Sequence, residues 1–173
     1  MSGASREGPE ESSGSDLRPD SSATRAQALN QVGRSADALH DWDEIDAALK
    51  GQLSPAWRSQ RAQARARAGQ HAQACSEAES LAKQNSRSVE ALYDAACIHS
   101  LASAAVLKDD KLSEDERKTL AEKYAARAVA LLKDAVSKGY KNLDHIKKDA
   151  DLDAVRLRDD FKQLLADLEK PKP

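Results

Sequence analysis

A seven-residue pattern occurs twice in this chain at one spacing. Arg25-Ala26-Gln27-Ala28, Gly33, Ala36 and Ala38 recur as Arg61-Ala62-Gln63-Ala64, Gly69, Ala72 and Ala74, each member displaced by 36 positions. Self-similarity at such a period marks a repeat architecture, because each unit is a supersecondary piece that cannot bury its apolar face alone. Stacked units bury that face in one another and leave an extended surface free for binding. The pattern therefore directs attention first to what docks on the chain.

Local signals divide the chain into helices. Ala26, Leu29 and Val32 form a stripe that ends at Gly33, and glycine supplies the left-handed conformation that stops a helix. Ala38, Leu39, Trp42, Ile45 and Leu49 continue at helical spacing to Gly51. Ser54-Pro55 pairs a cap with a first-turn proline and opens a helix that runs to Gly69. Its partner spans about His71 to Gln84. The next helix starts near Ser88 and carries Leu92, Ala95, Ala96, Ile98 and Leu101, and Asp109-Asp110 marks a break. Ser113-x-x-Glu116 is a capping-box pattern for a long helix with Leu120, Tyr124, Ala128, Leu131, Leu132, Ala135 and Val136 on one face, closed by Gly139. A short turn with Leu143 and Ile146 precedes a last helix bearing Phe161, Leu164, Leu165 and Leu168. No segment alternates with period two, so the chain reads as all-α without a sheet.

Residues 1–22 are rich in Ser, Gly, Pro, Glu and Asp and nearly free of apolar side chains. Such a segment cannot offset its ordering entropy, and we expect a disordered tail before a helical domain over 23–170. The balance of 27 basic and 29 acidic residues, net −2, provides no global field for nucleic acid or an anionic membrane. Aromatic residues are 3% of the chain, so Ala, Leu and Val must build the core. The two cysteines, Cys75 and Cys97, are too few for a disulfide framework. No signal peptide and no membrane span is visible, and the expected setting is cytoplasmic.

The helix–Gly–helix unit resembles the tetratricopeptide repeat (TPR), which has a small residue in its first helix, Gly at the turn, and Ala followed by an aromatic residue in its second. Ala26, Gly33, Ala38 and Trp42 stand at those offsets in the first unit, and Ala62, Gly69, Ala74 and Ala78 in the second. The third keeps Ala96 and places Ser103 at the turn. Its second-helix alanine is Ala128, 54 residues after Ala74, so this hairpin is lengthened. Arg65 replaces the usual large apolar residue, and the proline near the end of each second helix is absent.

The second half is more specific. Leu92-Tyr93-Asp94-Ala95-Ala96-Cys97 with Leu101-Ala102-Ser103, Tyr124-Ala125-Ala126-Arg127-Ala128 through Leu131-Leu132 to Gly139-Tyr140, and the ending Asp149-Ala150-Asp151-Leu152-Asp153 with Arg158-Asp159-Asp160-Phe161 resemble the C-terminal TPR region of bacterial Ser/Thr protein kinases. The similarity covers about residues 23–168. Members of that group usually have Pro where Ala150, Ala154 and Asp160 stand here. The resemblance implies a docking or regulatory role beside a kinase, with no kinase domain in this chain: G-x-G-x-x-G, H-R-D and D-F-G are absent, and Asp160-Phe161-Lys162 lacks the glycine of D-F-G.

Other chemistry is weaker. Asp149, Asp151 and Asp153 start like a calcium loop with Asp160 at its twelfth position, but Ala154 stands where the sharp turn needs Gly and the bidentate Glu is missing. A capped turn between short helices is the better reading. His71 with Cys75 and Cys97 with His99 lack the tight paired spacing of zinc sites. Arg58, Arg61 and Arg65 share a helical face with Arg67 nearby. Without an aromatic stacking platform this basic patch reads as a solvated face paired with Glu77, Glu79 and their neighbours, and only secondarily as a nucleic-acid site. No nucleophilic triad and no metal or cofactor set can be placed.

The expected architecture is thus a right-handed stack of about three TPR-like hairpins with a C-terminal capping helix. The expected activity is non-catalytic protein–protein docking, with a protein or peptide partner from kinase-linked signalling. A detached or truncated kinase tail remains the alternative, ahead of nucleic-acid binding through the Arg58–Arg67 helix. The groove offsets implied by the TPR resemblance fall on Gln27, Asn30, Gln63, Arg67, Tyr93, Asp94 and Cys97. The third first-helix carries Glu90 and Asp94 where a chaperone-tail clamp needs basic residues, so a partner with a free C-terminal carboxylate is disfavoured.

Overall fold

A computed structural model describes residues 19–170. Eight α-helices follow one another among the described residues: α1 (Pro19–Gln31), α2 (Ser35–Ala48), α3 (Pro55–Arg67), α4 (His71–Gln84), α5 (Val89–Val106), α6 (Glu114–Ser137), α7 (Leu143–Lys148) and α8 (Asp159–Glu169). A 3-10 helix, Ala150–Val155, lies between α7 and α8. No strand occurs among these residues, and none of these helices is long and apolar enough to cross a membrane.

The expected tail over 1–22 falls mostly outside the described residues. Its end differs from the expectation: α1 begins at Pro19, and Ser22 is buried. Proline at the first helical position costs no hydrogen bond, since that N–H has no partner in the helix anyway. Asp20 adds a carboxylate where the helix dipole favours one.

Consecutive helices pack as hairpins, α1 on α2, α3 on α4 and α5 on α6, while α3 also packs on α5. At both repeat turns the sequence-predicted glycines have positive φ, 79° at Gly33 and 85° at Gly69. The following amides, Arg34 and Gln70, donate back to Leu29 and Arg65 carbonyls at 2.9 and 2.8 Å, which closes each helix end. Ser54 accepts from the Trp57 amide ahead of Pro55, and Ser113 and Glu116 form a complete capping box. Ser103 does not mark a turn. It lies buried within α5, which runs on to Val106. The third hairpin is indeed the long one, with helices of 18 and 24 residues.

Helix α3 shows how small residues tie the stack together. Ala64 faces a cluster made by α1 and α2 with Trp42, Leu39 and Ile45, whereas Ala62 and Ala66, on the opposite side, enter the larger cluster of α4, α5 and α6. All three alanines are fully buried. Residues two apart on a helix point nearly oppositely, so one alanine-rich helix seals two cores while letting its neighbours approach closely.

The C-terminal third returns across the stack. Ile146, Leu152, Val155 and Phe161 are all fully buried and join the larger cluster, and the 3-10 helix packs on α5. Phe161 and Leu164 seat α8 against that core.

Candidate polar cleft between the first two hairpins

Two further faces of α3 carry polar chemistry. Arg58, Arg61 and Arg65, at i, i+3 and i+7, lie towards α2 and α4. Arg61 donates to Asp46 at 2.5 Å and to Glu77 at 2.7 Å, Arg65 to Glu77 at 2.8 Å, and Arg58 Nε lies 3.5 Å from the same carboxylate. Glu77 is buried, and the Arg61 side chain is only 11% exposed. The patch is therefore an internal charge network and not the solvated face expected from the sequence. Glu79 belongs elsewhere: it takes two hydrogen bonds from Arg127, which hold its carboxyl below the usual range.

The remaining face of α3 presents Gln60, Gln63 and Arg67. Together with Gln27, Asn30 and Gln31 of α1 and Asp151 of the 3-10 helix, these residues line a cleft of about 330 Å³. Asn30 is buried, and its Oδ1 accepts from Ser35 Oγ at 3.0 Å, which fixes the carboxamide. Arg67 donates to Asp151 at 2.5 Å, closing one end. Burial, which outweighs Arg67, raises the Asp151 carboxyl above its ordinary range, and Asp149 and Asp153 add to the shift. Four of the seven sequence-derived positions, Gln27, Asn30, Gln63 and Arg67, thus meet in one place.

The other three do not share it. Tyr93 is buried: its hydroxyl donates to Asp149 Oδ2 at 2.7 Å, and its ring stacks on Tyr140 with centroids 4.5 Å apart. Cys97 is also buried, with Sγ 3.6 Å from Asp149 Oδ2. Burial first, and then the neighbouring Asp149, pushes both the Tyr93 phenol and the Cys97 thiol well above their ordinary values, so neither ionises near neutrality. The chain's own C-terminal return covers these two residues. Asp94 turns the other way, towards α3, where Ser59 Oγ donates to it at 2.9 Å.

Gln31, Gln60 and Asp151 are the lining residues that the TPR offsets do not give. Gln60 follows from helical spacing, being three residues before Gln63 on the same face. No local signal places Asp151, 84 positions from Arg67, at the mouth of the cleft. The Asp149–Asp153 run is a capped turn: Asp149 Oδ1 accepts from the Asp151 amide at 2.9 Å and starts the 3-10 helix. Among the described residues no group of three or more His, Cys, Asp or Glu is placed to hold a metal ion.

Chemically, the cleft offers carboxamides that both donate and accept, and one ion pair whose charges cancel. Nothing in it is a nucleophile or a poised acid–base pair. No family model, no curated protein and no solved structure matches this chain.

Proposed function

We propose that this chain is a TPR-type docking module, non-catalytic and of the kind found at the C-terminal ends of bacterial Ser/Thr protein kinases, which holds a short extended segment of a protein partner in the cleft between its first two hairpins. The observation that carries this reading is the convergence of Gln27, Asn30, Gln60 and Gln63 from two helices onto one concave space. Carboxamides match the alternating donors and acceptors of a peptide main chain. The return of the C-terminal third over Tyr93 and Cys97 supports a site formed by α1 and α3 with Asp151 at its mouth. The engagement of Arg58, Arg61 and Arg65 by carboxylates weighs against a nucleic-acid site on that helix.

The test is capture of binding proteins from native cell extract by the wild-type chain and by Gln60→Ala/Gln63→Ala. A partner held by the cleft is lost with the double variant while the melting temperature stays the same. Equal capture by both proteins overturns the reading.

A further inference from the structure

A second, smaller cavity of about 160 Å³ lies where the start of α3, the end of α4 and the start of α5 meet. Its walls are the apolar atoms of Pro55, Ala56, Leu81 and Ala91, and its polar lining includes Asp94 and, at the exposed rim, Glu90. Ordinary small-molecule pockets measure about 300–1,000 Å³, so this space suits one long side chain and not a cofactor.

The charge here is unbalanced. Asp94 receives only the neutral hydroxyl of Ser59, and no cation pairs with it among the described residues. Glu90 likewise takes only Ser88 Oγ, at 3.0 Å. Arg67, the cation at the neighbouring cleft, is engaged by Asp151. Burial and the proximity of Asp149, Glu90 and Asp151 together raise the Asp94 carboxyl above its ordinary range, which is the behaviour of a carboxylate in want of a counter-charge.

We infer that this cavity is a socket for a single lysine or arginine side chain of a protein partner. The methylene stem would lie along Pro55, Leu81 and Ala91, and the cationic head would reach Asp94, with Glu90 at the rim. Long basic side chains bury apolar stems in this way while keeping their charged end paired or wet. A bare metal ion is a poorer fit, because the cavity supplies only two carboxylates, and among the described residues no group of three or more His, Cys, Asp or Glu is placed to hold one. The proposal rests on the docking reading for the occupant being part of a protein. It adds that the partner is anchored by a basic residue at a point separate from the carboxamide cleft.

The test needs no identified partner. Acetylated, amidated tripeptides Ala-Lys-Ala, Ala-Arg-Ala and Ala-norleucine-Ala are titrated into the full chain while backbone amide shifts are followed by NMR. Saturable shifts centred on Ser59, Ala91 and Asp94 with the two basic peptides, and none with norleucine, are expected. Asp94→Asn weakens binding about tenfold or more, as loss of a hydrogen bond to a charged group predicts. Asp94→Asn keeps the side chain's shape and an oxygen that accepts from Ser59, so an unchanged melting temperature for this variant separates loss of the charge from damage to the fold. Asp115→Asn, an equal change of charge at an exposed position on α6, leaves binding unchanged. Equal binding of the norleucine peptide, equal weakening by Asp115→Asn, or no saturation at low-millimolar peptide overturns the socket. Such a failure leaves the capture experiment on Gln60 and Gln63 unaffected, and the converse also holds.

Discussion

Tyr93 and Asp149 are 56 positions apart, yet the phenol of one donates to the carboxylate of the other at 2.7 Å. Asp149 also accepts from the Asp151 amide and lies near the Cys97 thiol, so one side chain both starts the 3-10 helix and fastens it to α5. Removing it should loosen the whole return. We expect Asp149→Ala to lower stability by about 1–3 kcal/mol, the cost of stranding a buried donor. Tyr93→Phe keeps the stack on Tyr140 and should cost less. Denaturant melts of the two single variants and the double variant check this. Full additivity would show that the two groups do not interact.

Phe161 is fully buried, whereas Leu157, four residues earlier, is 83% exposed. Truncating the first should cost about 3–5 kcal/mol as a large core deletion. Truncating the second should stay within about 0.5 kcal/mol. Similar unfolding midpoints for Phe161→Ala and Leu157→Ala would mean that α8 does not cap the core.

The elements that could be read from sequence are those governed by near neighbours. Gly33, Gly69, Ser54-Pro55 and the Ser113–Glu116 box each act within a few residues, and each sits where expected. The end of α5 was less legible. Ala95, Ala96, Cys97, Ile98, His99 and Ser100 are all buried, so the helix has no polar face to set its period and Ser103 passes for a turn. Within the candidate cleft, the offsets implied by the TPR resemblance name Gln27, Asn30, Gln63 and Arg67. They could not show that Asp149 and Asp151 would fold back across α5, because that contact depends on chain return and on the burial of Ile146, Leu152 and Val155.

Acid should weaken the fold through His99. Its ring is buried between α4 and α6, where it lies near Tyr124 and 3.0 Å from Glu79, whose carboxylate Arg127 also holds. Burial lowers the imidazole pKa below 6.5, outweighing the attraction of Glu79. A histidine whose folded pKa lies below its unfolded value takes up its proton preferentially in the unfolded chain, so stability falls as pH drops below about 6.5 until the folded pKa is passed. The carboxyls of Asp94 and Asp151, raised in the fold, act in the opposite sense above their unfolded values. Stability measured between pH 7.5 and about 5.5 should therefore fall more steeply for wild type than for His99→Gln. Parallel curves would show that His99 does not set the slope.

The charge network on α3 makes Glu77 the more consequential partner. Its buried carboxylate is shared by Arg58, Arg61 and Arg65, while each arginine has another polar neighbour or some solvent. Glu77→Ala would leave three guanidinium groups facing one another. Breaking a fully buried pair typically costs about 3–5 kcal/mol, and the residual exposure of these arginines reduces the expected loss to about 2–3 kcal/mol. Arg61→Ala should cost less, because Arg58 and Arg65 still face Glu77, although Asp46 loses its partner. Charge alone is not the whole effect: Glu77→Gln retains shape and a hydrogen-bond acceptor and should lie between wild type and Ala. Urea melts of Glu77→Ala, Glu77→Gln and Arg61→Ala give the order. If Arg61→Ala proves the most destabilising of the three, the network is organised by packing of the arginine stem against α2, and the shared carboxylate is secondary.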